Sequence, residues 1–199
     1  MNTKPPAGYP PVILTTRYRE LSPDQVPQAP TVSLSGGQLH LALDTAHGNL
    51  VLPASGQSFR DVAVQAQIAL VAGDEWDLYG LFVRGSSPSA YYTFAVSPGG
   101  RVVISRYDGV YHDLVNNPLA EGMPFHSGLG QANVFGVLAC GPSLTFLLNN
   151  WVVTGLPVEP AYAEGYLGLY VHHAATSPHA ELAADWIQVR AIFPGQQER

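Results

Sequence analysis

The sequence predicts an all-β protein, an antiparallel two-sheet β-sandwich. Short apolar segments alternate between inward and outward positions with a period of two, and turn-forming residues rather than helical crossovers separate them. The alternation is clearest between Leu78 and Val153, in residues 78–84, 90–96, 101–107, 133–139 and 143–153. The length of 199 residues suits one sandwich domain. We therefore predict about ten to twelve strands, with a turn near residues 118–123 in place of a helix.

The remaining strands follow from the same alternation on either side of this block. In chain order they are a hairpin over 31–35 and 38–44 around Gly36-Gly37, a long strand over 59–71, and strands over 164–173 and 180–193. In the long strand, Val62, Val64 and Ile68 point inward while Gln65 and Gln67 point outward. The last strand changes phase at Asp185 and Trp186, which predicts a β-bulge there.

The N-terminal segment is rich in proline and differs from the rest. Residues 1–30 contain seven of the 17 prolines, and proline removes a ladder hydrogen bond from a central strand. We predict an extended arm or linker over 1–30, a sandwich domain over 31–193 and a C-terminal tail over 194–199. The run from Val12 to Leu21 lies between proline clusters and is able to pair with a sheet edge or with a neighbouring molecule.

Charge and hydropathy exclude some functions. Charged residues make up 12% of the chain, the net charge is −6, and Lys4 is its single lysine, so no basic surface for nucleic acid is expected. The chain has neither a typical signal peptide nor an apolar run of about 20 residues, and membrane insertion is not expected. Localisation stays open: extracellular or surface-exposed as part of a longer exported protein, otherwise cytoplasmic.

Six segments share a family pattern: residues 79–84, 91–107, 133–141, 144–153, 165–171 and 183–189. Together they resemble the concanavalin A-like lectins and glucanases, most closely the laminin-G-like jelly-roll modules of bacterial multidomain proteins, over roughly residues 55–193. The resemblance implies a jelly roll that recognises carbohydrate or protein. The chain departs from the family pattern at two places. Asn149-Asn150 stands where the family usually has an asparagine-glycine turn, and this pair still suits a type I′ hairpin. Ala184-Asp185-Trp186 stands where the family usually has Phe-Asp-Asn.

A catalytic site is not predicted. The glucanases of this superfamily carry their carboxylates along one strand, and the nearest counterpart here is Glu75 with Asp77, two residues apart. Both lie in a loop, no third acid follows on that face, and a polar loop is the alternative interpretation. No G-x-S-x-G motif occurs. The sequence therefore favours a non-catalytic protein without deciding the question.

The metal prediction is limited to one possible structural calcium, because many relatives hold this ion through aspartate, asparagine and backbone oxygens. Asp61 and Asp185 are the candidate ligands if the long early strand neighbours the last one, and two surface carboxylates are the alternative. His172 and His173 are adjacent on a strand, so they point to opposite faces and cannot both bind one metal ion. No other cofactor is expected.

Aromatic residues and two arginines are the candidates for ligand binding. Flat aromatic faces flanked by polar groups bind sugars, and the candidates are Trp76, Tyr107, Tyr111 and Trp151, each of which has core packing as its alternative. Arg84 and Arg106 lie at strand ends, where they either clamp a ligand or form ordinary ion pairs.

Three functions remain. The leading hypothesis is a non-catalytic binding or adhesion module for carbohydrate or a protein surface. The alternative is a structural subunit of a larger assembly, such as a surface layer, an appendage or a virion decoration, with homo-oligomer contacts through the N-terminal arm. A glycoside hydrolase is the third.

Overall fold

The computed structural model describes residues 11–27, 31–174 and 178–192. These residues form fourteen strands and three short 3-10 helices. The strands are β1 (Val12–Arg17), β2 (Val32–Ser35), β3 (Gln38–Leu43), β4 (Asn49–Pro53), β5 (Val62–Ala72), β6 (Leu78–Ser87), β7 (Ala90–Val96), β8 (Arg101–Tyr107), β9 (Tyr111–Pro118), β10 (Asn133–Cys140), β11 (Ser143–Leu148), β12 (Trp151–Pro157), β13 (Tyr166–His172) and β14 (Ala180–Ala191). The 3-10 helices are Tyr18–Glu20, Pro23–Gln25 and Pro160–Tyr162. None of the helices in these ranges has the length and apolar character to cross a membrane.

The strands form two antiparallel sheets stacked as a sandwich, which confirms the predicted fold class. The eight-stranded sheet has the order β12-β11-β10-β5-β14-β3-β2, and β1 pairs with β14 beside the end of β3. The six-stranded sheet has the order β4-β13-β6-β7-β8-β9. Every strand pair is antiparallel, as a fold without helical crossovers requires.

The core lies between the sheets and uses every second residue of most strands. Val64, Ile68 and Leu70 of β5 are fully buried, as the alternation predicts. From the six-stranded sheet, the Phe94 ring lies 5.4 Å from the Phe135 ring and 5.3 Å from the Phe146 ring of the opposite sheet. Such aromatic contacts across the interface fix which face of each strand points inward, and therefore which face is left outside.

Two strands of the six-stranded sheet were not predicted, and both are edge strands. β4 has five residues, and β9 alternates too weakly to indicate a buried face. The predicted strand over 143–153 is divided at Asn149 and Asn150, whose φ angles of 49° and 67° form the expected tight turn. The register between β5 and β14 shifts between Ala184 and Trp186, which confirms the bulge at Asp185.

The N-terminal arm is not confirmed over residues 12–27, which pack on the sandwich. β1 pairs with the second half of β14, and Tyr18 and Val26 are buried in the core. The strand forms there because the prolines flank it rather than interrupt it: Pro11 precedes β1 and Pro23 follows it. Residues 1–10 and 28–30, and the predicted tail at 194–199, lie outside the described residues.

Candidate functional site

A groove crosses the outer face of the six-stranded sheet. Because Tyr92 and Phe94 of β7 point into the core, Tyr91, Thr93 and Ala95 point to this outer face. Neighbouring strands add further side chains, which enclose a cleft of about 270 Å³. The cleft is lined by Trp76, Leu78, Thr93, Arg101, Val103, Ser105, Tyr111, Asp113, Asn116, Tyr170 and His172.

Four tyrosines pack together at one end of the groove. The Tyr107 ring lies 5.0 Å from the Tyr91 ring and 4.6 Å from the Tyr111 ring. Asn49 donates a hydrogen bond to the Tyr91 hydroxyl at 2.6 Å, and the Tyr170 hydroxyl donates one to that of Tyr111 at 3.2 Å. Burial raises the pKa of Tyr91, Tyr111 and Tyr170. The three phenols are therefore neutral at physiological pH and keep their hydroxyl donors.

A chain of polar side chains crosses the middle of the groove. Ser105 of β8 donates a hydrogen bond to Asp113 Oδ1 at 2.7 Å, and Asn116 Nδ2 donates one to Asp113 Oδ2 at 2.7 Å. Arg101 Nε in turn donates to Asn116 Oδ1. Residues three apart on a regular strand face opposite sides, but the register of β8 with β9 shifts at Leu114. This bulge turns both Asp113 and Asn116 toward the groove.

Trp76 forms the rim of the groove and is presented by a tightly bonded loop. Asp74 Oδ1 accepts the Trp76 N–H at 2.7 Å, and Asp77 Oδ2 accepts the Asp74 N–H at 2.9 Å. The Trp76 side chain remains 53% exposed. Trp76, Arg101 and Asn116 also line a second cleft of about 380 Å³, so the two clefts adjoin. The second cleft is completed by Glu75, Ser97, Gly99, Gly100 and Pro118.

The adjacent histidines at the end of β13 point to opposite faces, as predicted. The His172 ring lies in the groove, 6.4 Å from the ring of Tyr111. His173 is buried on the other side, with Nδ1 at 3.1 Å from Asp77 Oδ1. Burial lowers the pKa of His172, so this ring is neutral at neutral pH.

The structure brings together three of the six residues predicted to bind ligand. Trp76 and Tyr111 line the groove, and Tyr107 packs beside Tyr111. Trp151 is exposed at the start of β12, an edge strand of the other sheet. It therefore lies apart from the groove.

The two candidate arginines are engaged within the protein. Arg84 is 2% exposed, because a bulge in β6 and a φ of 58° turn it inward, and its Nη2 donates to the Gly141 carbonyl at 3.2 Å. Arg106 forms ion pairs with Glu159 and, at 3.0 Å, with Asp108. Arg106 therefore forms ordinary ion pairs, which was the alternative to ligand binding. Burial keeps Arg84 from contacting a surface ligand.

The candidate calcium ligands are too far apart to share an ion. Asp61 precedes β5, and its backbone oxygen accepts the Ile192 N–H, whereas Asp185 lies beside the pairing of Trp186 with Gln67. Asp61 is six residues of extended chain away from Gln67, which lies at the position of Asp185, and this spacing corresponds to roughly 20 Å. Asp61 Oδ1 accepts the Gly141 N–H and Asp185 Oδ1 accepts from Gln38. Within residues 11–27, 31–174 and 178–192, no three His, Cys, Asp or Glu side chains form a metal-binding group. A structural calcium stays a prediction without assigned ligands.

The candidate carboxylate pair is also divided between two environments. Glu75 is exposed on the loop, whereas Asp77 is completely buried and accepts the N–H groups of Asp74 and Ala174. Their spacing of two residues does not place them on one face, because they lie in a turn and not in a strand. Asp77 is a structural carboxylate that holds the loop of Trp76.

Sequence reasoning did not single out the polar part of the groove. Ser105, Asp113, Asn116 and Arg101 come together only when β8 pairs with β9. The one available signal was the group of polar residues on both sides of Leu114-Val115 within 111–118, next in sequence to a clearly predicted strand.

Known proteins share the architecture but little sequence. No family model and no curated protein matches the chain. Among solved structures, the carbohydrate-binding module CBM66 from Bacillus subtilis is 14% identical, with a TM-score of 0.60 over 77% of this chain and 86% of that one. The catalytic domain of the endo-1,3-β-glucanase (laminarinase) from Thermotoga petrophila is 10% identical, with a TM-score of 0.63 over 92% and 98%. The Bacillus licheniformis β-glucanase is 12% identical, with a TM-score of 0.59 over 82% and 84%. These similarities show the fold, a concanavalin A-like jelly-roll sandwich.

Proposed function

Because the chain has the concanavalin A-like jelly-roll fold, we propose that it is a non-catalytic module that binds carbohydrate in the groove of its six-stranded sheet. One observation carries the proposal: an exposed tryptophan at the rim faces a groove whose floor combines aromatic rings and fixed hydrogen-bonding groups. A protein of similar fold, CBM66, is named as a carbohydrate-binding module, which supports the assignment.

The groove matches the two kinds of surface that a sugar presents. The apolar C–H face of a pyranose packs on a flat aromatic ring, and Trp76 offers such a ring to solvent. Sugar hydroxyls need donors and acceptors in fixed positions, which the Ser105, Asp113 and Asn116 side chains supply on one side and the Tyr111 hydroxyl on the other.

The carboxylates support binding rather than hydrolysis. A glycosidase needs two carboxyl groups flanking the scissile bond, one as acid and one as base or nucleophile. Asp113 in the groove accepts hydrogen bonds on both oxygens from Ser105 and Asn116. Asp77 is buried beneath the rim. Glu75 is exposed on the loop and lines the second cleft. Neither Asp113 nor Asp77 is free to act with Glu75 as the second carboxyl group.

The test is glycan binding by Trp76→Ala, with Trp151→Ala as the matched control, because both tryptophans are exposed and only Trp76 lines the groove. We expect Trp76→Ala to weaken binding to the glycans that the wild type recognises on an array by tenfold or more, roughly the effect of losing an aromatic hot spot. Trp151→Ala should bind like the wild type. The same glycans should release no reducing ends on prolonged incubation.

Equal binding by both variants would remove the groove as the site. Hydrolysis of a bound glycan that is lost in Glu75→Gln would replace the proposal by a glycoside hydrolase.

The alternative of a structural subunit has lost its main motivation. The strand-forming segment near the N-terminus was predicted to pair either with a sheet edge or with a neighbouring molecule, and Val12–Arg17 pairs with β14 of its own chain. Recognition of a protein surface through the same groove stays a prediction. A pull-down competed by a bound glycan would test it.

A further inference from the structure

The two clefts of the groove meet at a single arginine. Trp76, Arg101 and Asn116 line both clefts, and Glu75 and Pro118 belong to the second cleft alone. A ligand that extends along the groove must therefore pass the Arg101 side chain.

Arg101 is held in place by a chain of hydrogen bonds but keeps most of its donors. Its Nε donates to Asn116 Oδ1, and Asn116 is itself fixed by Asp113, which accepts from Ser105. Its two Nη groups form no hydrogen bond or ion pair with any residue that the structure describes. Such an anchored guanidinium offers parallel N–H donors with the spacing of carboxylate or sulfate oxygens.

Two acids, Asp113 and Glu75, line the clefts with Arg101, and neither forms an ion pair with its guanidinium. Asp113 is the nearest acid along the hydrogen-bond chain, and both of its oxygens accept from Ser105 and Asn116 rather than from Arg101. Burial lowers the pKa of His172, so its ring is neutral at neutral pH. Among the described side chains lining the two clefts, Arg101 is thus the permanent cation.

We propose that the groove binds glycans that carry a carboxylate or a sulfate, and that this anionic group lies against the Arg101 guanidinium. The inference rests on the proposed carbohydrate-binding function and adds the chemical class of the ligand. Hydrogen bonds between charged groups are roughly twice as strong as neutral ones. Because Arg101 is exposed and water screens its charge, we expect a preference of about two- to fivefold for an anionic glycan over its neutral counterpart.

The test compares paired polysaccharides with wild type, Arg101→Gln and Arg60→Gln. Polygalacturonate with galactan tests carboxylates, and dextran sulfate with dextran tests sulfates. Arg60 is an exposed arginine that lines a separate cleft beside Glu164, which makes Arg60→Gln the matched control. Because the chain has a net charge of −6, unspecific attraction to polyanions is weak. Thermal unfolding of each variant confirms that it is folded.

We expect the wild type to prefer the anionic member of at least one pair, and the responding pair identifies the anionic group. Arg101→Gln should lose this preference and Arg60→Gln should keep it. The preference should also shrink when salt is raised from about 0.05 M to about 0.5 M.

Three outcomes overturn the inference and can be told apart. A preference for the anionic glycan that survives Arg101→Gln removes Arg101 as the residue that binds the anionic group. Equal affinity for both members of each pair removes the anionic ligand. In that case, binding of neutral glycans that depends on Trp76 still supports the carbohydrate-binding function. Absence of binding to every glycan, on the array as well, removes both proposals.

Discussion

His172 is a partly buried titratable side chain that links the groove to the pH dependence of stability. Its Nδ1 has no hydrogen-bond partner among the described residues. Burial lowers its pKa below the ordinary value of 6.5, and a hydrogen bond with the Gly48 backbone and the nearby Asp77 carboxylate oppose this effect only in part. The folded protein therefore holds the ring neutral where an unfolded chain would protonate it.

The free energy of unfolding should consequently fall on acidification. As the pH drops below 6.5 toward the lower pKa of the folded state, the unfolded chain takes up a proton at His172 that the folded chain does not. We expect His172→Asn to flatten this part of the stability curve, measured by urea unfolding at a series of pH values. Parallel curves for wild type and variant would contradict the neutral state of this ring.

At the scale of the strand pair, the hairpin between β11 and β12 uses two asparagines for different purposes. Both have positive φ angles, 49° at Asn149 and 67° at Asn150. Asn149 Oδ1 accepts the Val134 N–H at 2.8 Å, and its Nδ2 donates to Asn133 Oδ1 at 2.7 Å. Asn150 accepts one longer bond, from Gln65 at 3.3 Å.

This difference predicts opposite effects for the same substitution at neighbouring positions. Asn150→Gly should raise the free energy of unfolding by about 0.5–1 kcal/mol, because glycine adopts a positive φ without steric cost. Asn149→Gly relieves the same backbone conformation but leaves the Val134 N–H without its acceptor. It should lower stability by about 1–3 kcal/mol. The midpoints of urea unfolding measure both, and effects of equal sign would contradict the separate roles.

The strands differ in how far sequence alone could predict them. From Val62 to Ile68, buried and outward residues of β5 alternate strictly, so the position of the strand and its inward face follow directly from the pattern. β9 is an edge strand with mostly exposed residues and a bulge at Leu114, and both features remove the period of two. The polar half of the groove depends on this strand. The geometry of this polar half could therefore not be predicted from the sequence, although the neighbouring strand β8 was correctly predicted.

At the scale of the whole molecule, β1 completes the eight-stranded sheet. β1 covers the half of β14 that β3 leaves unpaired, and Leu14 packs against the core. Edge strands that lose their cover expose unpaired backbone groups and tend to associate.

Deleting residues 1–17 should therefore lower the free energy of unfolding by about 2 kcal/mol, mainly through the lost burial of Leu14. It should also cause association that grows with protein concentration. Urea unfolding and light scattering measure the two effects. Ile13→Ser, an exposed position on the same strand, should change neither. A truncated protein that is as stable as the wild type, and monomeric, would show that β1 is dispensable.

The fold class was predictable because it depends on the repeated alternation of many residues, and loss of two edge strands does not alter it. The candidate site was predictable only where one residue type carries the signal, as with Trp76 and Tyr111 on the groove. Arg101 sits at the start of a predicted strand, but its partners come from β9. Which arginine faces the groove and which is buried, as Arg84 is, depends on register and bulges rather than on composition.

The strands of the six-stranded sheet carry core residues on one face and the groove on the other. Substitutions at the exposed rim positions, Trp76 and Arg101, are therefore separated by the backbone itself from the packing that holds the sheets together. Replacing either residue therefore changes the chemistry of the outer face without removing a contact from the interior. The outer surface and the architecture can thus be altered independently of each other.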